Sequence, residues 1–218
     1  MSRNCYILLT GQIRRFRHNW ENLQLRLVKP NLSYFDNLFI IVNTWSDWSR
    51  QKHRCYDNSI PQTIDITKEE LQRYPVDTNF IDFPLELDQF NTLDNKHRIM
   101  FYVWEQSLKY LENKYSPHPF DIVIKTRSDL WYKDSFNMND VPRHTDNRGC
   151  IIEIPIGNDY KGINDQFAIG PHYLMKQYLS VYSQDCSLDK RPETILQDHL
   201  RKNNVPHARF PFNYEILR

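Results

Sequence analysis

The chain has 218 residues, 40% apolar and 14% aromatic, enough to build a substantial core, and it reads as a single domain over 1–218. Lys and Arg number 28 against 27 Asp and Glu, a net charge of +1, which argues against nucleic acid or an anionic membrane as the main partner; any basic site must be local. No apolar stretch approaches the ~20 residues of a membrane helix, and Met1 to Thr10 runs into arginines too soon for a secretory signal, so the expectation is a soluble, cytoplasmic protein with no membrane insertion.

Asn4 to Thr10 reads as a first strand, followed by the turn Gly11-Gln-Ile-Arg-Arg15 and a helix over Asn19 to Val28. Asn37 to Asn43 is a second continuous apolar run, ending in Thr44-Trp-Ser-Asp47. Residues 49–77 are polar and rich in turn formers, with Thr67-Lys-Glu-Glu70 patterned as a capping box before Leu71. Asn79 to Phe83 is a candidate short strand. Leu93 to Tyr115 carries Ile99, Tyr102, Val103, Tyr110 and Leu111 at helical spacing without Gly or Pro, until Pro117 and Pro119 stop the helix.

Asp121 to Thr126 is a third buried strand. Its run Ile122-Val-Ile124 is continuous rather than alternating and ends abruptly in Arg127-Ser-Asp129. Cys150 to Ile156 and Gln166 to Gly170 read as further strands around the loop Gly157 to Asp165, and Pro171 to Tyr182 and Pro192 to Asn203 as helices. Arg209 to Leu217 is a terminal strand or extended tail. Strands alternating with helices predict a three-layer α/β/α sandwich around a mostly parallel sheet. The cysteines Cys5, Cys55, Cys150 and Cys186 form no C-x-x-C or Cys/His metal pattern, and Cys5 and Cys150 read as small buried hydrophobes.

Ligands of open α/β sheets gather beyond the carboxyl ends of the strands, and there Asp129 would stand. A divalent ion held by a carboxylate and substrate phosphates neutralises a leaving diphosphate, which makes Asp129 the candidate ligand for Mn²⁺ or Mg²⁺. Arg127 reads either as a phosphate contact or as a salt-bridge partner that holds Asp129. An aspartate at a strand end also caps turns.

Lys125-Thr-Arg-Ser-Asp-Leu-Trp131, Asn164-Asp-Gln-Phe-Ala-Ile-Gly170 and Pro192-Glu with Leu196-x-x-His199-Leu200 are together similar, in order and spacing, to the WavE-type family of bacterial and viral polysaccharide glycosyltransferases. The likeness spans most of the chain and is firm in the second half. It implies a GT-A-like fold, a nucleotide-sugar donor and a glycan acceptor, with Arg127-Ser-Asp129 standing where GT-A enzymes carry D-x-D. One carboxylate of the usual pair is missing.

The resemblance places the donor near Thr10-Gly-Gln-Ile-Arg-Arg15, with Gly11 and Gln12 giving backbone approach and Arg14 a phosphate contact; Arg14 and Arg15 equally read as solvated charges opening a helix. Trp45 and Asp47 are candidate base or ribose contacts, with the core as the competing place for Trp45. Lys96 and Arg98, at the N-terminus of the long helix, are candidate diphosphate contacts or members of a solvated first turn; His97 is unassigned. Asp165 is the candidate base that deprotonates the acceptor in an inverting transfer, and Glu193 the alternative base or a helix-dipole partner. A few GT-A enzymes use a late histidine on the metal, which nominates His199 beside Asp129; a satisfied helix histidine is the competing reading. A sugar nucleotidyltransferase and a noncatalytic glycan- or nucleotide-binding module remain as alternatives.

Overall fold

The computed structural model describes residues 3–48, 64–82, 96–140, 150–185 and 190–217. The expected helix start at Leu93 to Asn95, Phe83, Cys55, Cys186 and Gly149 lie outside the described residues. Nine strands are described: β1 (Asn4–Thr10), β2 (Asn37–Trp45), β3 (Asp77–Ile81), β4 (Ile122–Thr126), β5 (Leu130–Tyr132), β6 (Ile152–Pro155), β7 (Ala168–Pro171), β8 (His207–Phe210) and β9 (Tyr214–Ile216). The helices are α1 (Phe16–Leu23), α2 (Lys68–Leu71), α3 (Lys96–Tyr115), α4 (His172–Leu179), α5 (Val181–Asp185) and α6 (Pro192–Lys202).

Seven strands form one sheet in the order β3-β2-β1-β4-β7-β6-β8, and β5 pairs with β9 in a small second sheet. Within the main sheet only β7 runs against the rest: it is antiparallel to both β4 and β6, whereas the β3-β2-β1-β4 and β6-β8 neighbours are parallel. The mostly parallel, three-layer α/β architecture expected from the sequence is therefore present.

The layers explain why the strand sequences are continuous rather than alternating. Along β1, Cys5, Ile7 and Leu9 face a core shared with Phe16, Leu23 and Leu27 of the α1 region, while Tyr6 and Leu8 face Phe101, Trp104, Leu108 and Leu111 of α3. Both faces of the strand are covered, so both sets of side chains must be apolar. Cys5 is a free, fully buried thiol, as its strand position predicts.

Several boundaries differ from the sequence reading for local reasons. The first helix begins at Phe16 rather than Asn19 and continues through a π turn at Gln24–Val28 and a 3₁₀ turn at Lys29–Asn31. This widened stretch explains why its apolar spacing only loosely follows an α-helical period. The expected helix over Pro171 to Tyr182 is two helices broken at Ser180, whose hydroxyl donates back to the Lys176 carbonyl at 2.6 Å. The terminal tail splits into β8 and β9 on different sheets. The capping box is as expected: the Glu70 N–H donates to Thr67 Oγ1 at 3.2 Å and the Thr67 N–H to Glu70 Oε2 at 2.9 Å.

At the amino-end edge of the sheet, Asp121 ties β4 to β1 by accepting from the Asn4 N–H at 3.3 Å and the Asn4 side-chain amide at 3.2 Å. The opposite edge, where the parallel strands end, carries most of the candidate functional residues.

Candidate active site

The strand order reverses around β1: β2 lies on one side and β4 on the other. Open α/β sheets bind ligands at such a switch point, beyond the strand ends, and here it falls at the segments that follow Thr10 and Thr126. The register Leu9↔Thr126 brings these two segments side by side.

Ser128 joins them. Its hydroxyl donates to the Gln12 carbonyl at 3.0 Å and accepts from the Arg14 N–H at 3.3 Å. The middle residue of Arg127-Ser128-Asp129 is thus a structural clasp between the β1 and β4 turns. From below, buried asparagines of the α1 region hold the same loop: Asn19 Nδ2 donates to the Ser128 carbonyl at 3.0 Å and to the Leu130 carbonyl at 2.5 Å, and Asn22 Nδ2 donates to the Tyr132 carbonyl at 3.0 Å. On the far side the Leu217 N–H donates to the Asp129 carbonyl at 2.8 Å, so β9 completes the frame. Neither α1's asparagines nor the tail stood out in the sequence, because single Asn and Tyr residues carry no spacing signature.

Asp129 is 2% exposed and receives Arg127 through both oxygens, Nε at 2.8 Å and the terminal guanidinium nitrogen at 2.7 Å. A terminal nitrogen of Arg14 stands 4.0 Å from the same carboxylate. One buried carboxylate thus organises two guanidiniums at the switch point. Gly11 shapes the turn beside them. Its φ of 107° is closed to ordinary L residues, while a Cβ there would meet nothing within 4 Å. The glycine is required by backbone conformation, and the space beside it is open.

One strand over, Asp165 and Glu193 form an acidic pair. Asp165 is 7% exposed and precedes β7, and no hydrogen bond reaches its carboxylate among the described residues. Glu193, in the first turn of α6, is brought alongside by the Ile163 N–H donating to the Glu193 carbonyl at 3.0 Å. Gly162 makes this approach possible: a Cβ at that position would sit 2.1 Å from the Glu193 carbonyl carbon. Burial, reinforced by the charge of Asp165, pushes the Glu193 carboxyl up to about 7.

Lys125 links the two halves; the sequence reading quoted it at the head of a motif but gave it no role of its own. It is 1% exposed on β4, donates to the Asp165 backbone carbonyl, and lays its ammonium 4.0 Å from the centre of the Trp104 ring. Burial lowers it to about 7, against the opposing pull of Asp165, with Arg127 and Asp129 also within electrostatic reach. A lysine inside an apolar strand was the available signal. Tyr214 is the second link. Its hydroxyl accepts from Asn164 Nδ2 at 2.6 Å, and burial raises it, with Asp165 and Arg127 both felt there. The loop before Asp165 is braced as well: Asp159 pairs with Arg209 at 2.5 Å and accepts from the Asn164 N–H at 3.1 Å.

Other expected residues stand elsewhere. Trp45 is buried, packing with Ile81 and Val103, so its indole belongs to the core and not to a base-stacking surface. Arg98 is in the first turn of α3 and lies over the Tyr182 ring at 5.9 Å, within the helical layer. The side chain of Lys96, like that of His97, lies outside the described residues. Asp47 follows β2 as an exposed residue. His199 is fully buried in α6, with Nε2 2.8 Å from the Gln177 carbonyl and Nδ1 3.3 Å from Asn203 Nδ2. Both ring nitrogens are engaged between helices, which corrects the expectation of a metal-facing histidine.

The donor set also fits a divalent cation poorly. Mn²⁺ and Mg²⁺ take oxygen ligands at roughly 2.0–2.2 Å, and Mg²⁺ is usually held by one or two carboxylates plus phosphates. Here both Asp129 oxygens already accept from Arg127, the Ser128 hydroxyl is engaged with backbone, and a cation would be repelled by two guanidiniums. Among the described residues no group of three or more His, Cys, Asp and Glu could hold a metal ion.

No family model matches the sequence, and no curated protein does. The WavE-type likeness therefore rests on its motifs alone. Among solved structures, the chain is similar to one from Desulfovibrio desulfuricans named provisionally as a nucleotide-diphospho-sugar transferase, at 12% identity over 97% of this chain and 80% of that one, with a TM-score of 0.47. Residue roles do not transfer across so distant a likeness. No described helix is long and apolar enough to cross a membrane.

Proposed function

We propose that the chain is a GT-A-like glycosyltransferase that moves a sugar from a nucleoside-diphosphate sugar to a hydroxyl of a glycan acceptor. The observation that carries this reading is the apposition, along one sheet edge, of a guanidinium pair at the β1/β4 switch point and a buried carboxylate pair one strand away. The motifs behind the family resemblance support it. Lys125 to Trp131 runs from the end of β4 into β5, Asn164 to Gly170 carries Asp165 into β7, and Pro192-Glu193 opens α6, so all three contribute to that edge.

The chemistry follows from the charges. The donor diphosphate lies against Arg14 and Arg127, over the open side of Gly11. The acceptor hydroxyl oxygen bonds to the anomeric carbon as the bond from that carbon to the diphosphate oxygen breaks. The departing electron pair stays on the diphosphate, where the guanidiniums stabilise it. The acceptor proton passes to Asp165, giving inversion at the anomeric carbon. Two carboxylates sharing a site do not both ionise readily, and Glu193 is the one whose proton affinity is raised toward neutrality. Lys125 and Tyr214 keep the Asp165 segment in register with the donor side.

A thermal-shift screen against nucleotide sugars tests this reading. A ligand that binds only the native state raises the transition by mass action, so at least one nucleotide sugar should do so and Arg127→Gln should abolish the shift. No shift with any nucleotide sugar contradicts the reading. Formation of a nucleotide sugar from a sugar 1-phosphate and a nucleoside triphosphate identifies a nucleotidyltransferase instead.

A further inference from the structure

We infer that the donor diphosphate is held by the guanidiniums of Arg14 and Arg127 without a divalent cation, and that Asp129 is a positioning residue for them rather than a metal ligand. The inference rests on the transferase reading and deepens it.

Three observations carry it. First, the geometry at Asp129 is the two-point grip of a guanidinium, at 2.8 and 2.7 Å, on a carboxylate that is almost wholly buried. Such a pair fixes the plane of the Arg127 guanidinium, and planar donors match phosphate oxygens as well as carboxylate oxygens. Second, Arg14 stands 4.0 Å from the same carboxylate and is held there through its backbone by Ser128. Two guanidiniums facing one carboxylate suit a diphosphate better than a further cation. Third, the remaining positions of the Arg127-Ser128-Asp129 element have structural occupations. The Ser128 hydroxyl bonds the β1 turn, and the Asp129 carbonyl accepts from Leu217. An element with one carboxylate, given over to an arginine, serves a guanidinium-based diphosphate site better than a metal-based one.

The partition also separates the chemistry along the sheet edge. Asp165 and Glu193, the carboxylates without a bound guanidinium, lie on the acceptor side, where a proton must be received. The donor side has its carboxylate neutralised in advance.

The experiment measures binding of inorganic pyrophosphate, UDP and GDP to the 218-residue chain by calorimetry, once in excess EDTA and once in Mn²⁺ or Mg²⁺. At least one diphosphate should bind in EDTA, with a Kd within about twofold of the value with cation. Arg127→Gln and Arg14→Gln should each weaken it at least tenfold, since charge-assisted contacts to phosphate are lost. Asp129→Asn should weaken binding in the wild-type background but add nothing in an Arg127→Gln background, because it acts through that arginine; an additive loss would mark a separate role. Should Asp129→Asn fail to fold, the EDTA comparison on the wild-type protein decides alone. Binding that appears only with cation overturns this inference and leaves the transferase reading standing. Binding under neither condition overturns both.

Discussion

Asp129 holds Arg127 through both carboxylate oxygens, at 2.8 and 2.7 Å, although the two residues are separated in the chain only by Ser128. A contact this local forms as soon as β4 ends. It presents a fixed guanidinium at the sheet edge, with Arg14 brought to within 4.0 Å from the neighbouring turn.

Removing the arginine takes both close ion-pair contacts from a buried carboxylate and leaves it the more distant Arg14 and Lys125. Arg127→Met should therefore destabilise the fold by about 1–3 kcal/mol, measured by urea unfolding, and the double variant Arg127→Met with Asp129→Leu should recover most of that loss. A double variant as unstable as the single one would show that the cost comes from packing and not from the stranded charge.

Asp165 is 7% exposed, and no guanidinium of the described residues pairs with its carboxylate, which leaves it available to a substrate proton. Asp165→Asn should lower kcat by about 10²–10⁴-fold while leaving the donor Kd within a factor of two or three. An equal loss in donor affinity would place Asp165 on the donor instead.

Stability should depend on pH through two buried groups with opposite slopes. The Glu193 carboxyl is raised from 4.5 to about 7, so between these values the unfolded chain gives up its proton first and stability falls as pH rises. Lys125 is lowered from 10.5 to about 7, so between 7 and 10.5 the unfolded chain binds more protons and stability rises with pH. Together they contribute a minimum near neutrality. Glu193→Gln should flatten the falling limb and Lys125→Met the rising one; thermal unfolding across this range, compared with wild type, reads both.

Gly162 lies against the Glu193 carbonyl with no room for a methyl group. Gly162→Ala must push α6 or the loop aside, costing about 1–3 kcal/mol, and the displaced Glu193 should return toward an ordinary carboxylate. The falling limb of the stability profile would then shrink without any change to an ionisable residue.

The strand frame was legible because burial on both faces leaves an unmistakable apolar run, as in Ile7 to Leu9 and Ile122 to Ile124. The ends of those runs also located the Arg127 to Asp129 element. What could not be read was how polar groups pair in three dimensions. Arg127 was open between phosphate and Asp129, and only geometry shows its two-point hold. Trp45 and His199 carry side chains that serve a core as well as a site, and their neighbours Ile81, Val103 and Gln177 come from distant segments. Lys125 was hidden for the opposite reason. A lysine in a strand ordinarily marks an exposed edge, and its buried partners Trp104 and Asp165 lie 21 and 40 residues away along the chain.

The most direct test of the central claim is acceptor-dependent release of nucleoside diphosphate from a nucleotide sugar, followed for the wild-type protein and Asp165→Asn at matched donor saturation. The account predicts release by wild type that requires a glycan acceptor and falls at least about 10²-fold in the variant. Undiminished release by Asp165→Asn, or none by wild type with a nucleotide sugar that demonstrably binds, would contradict it.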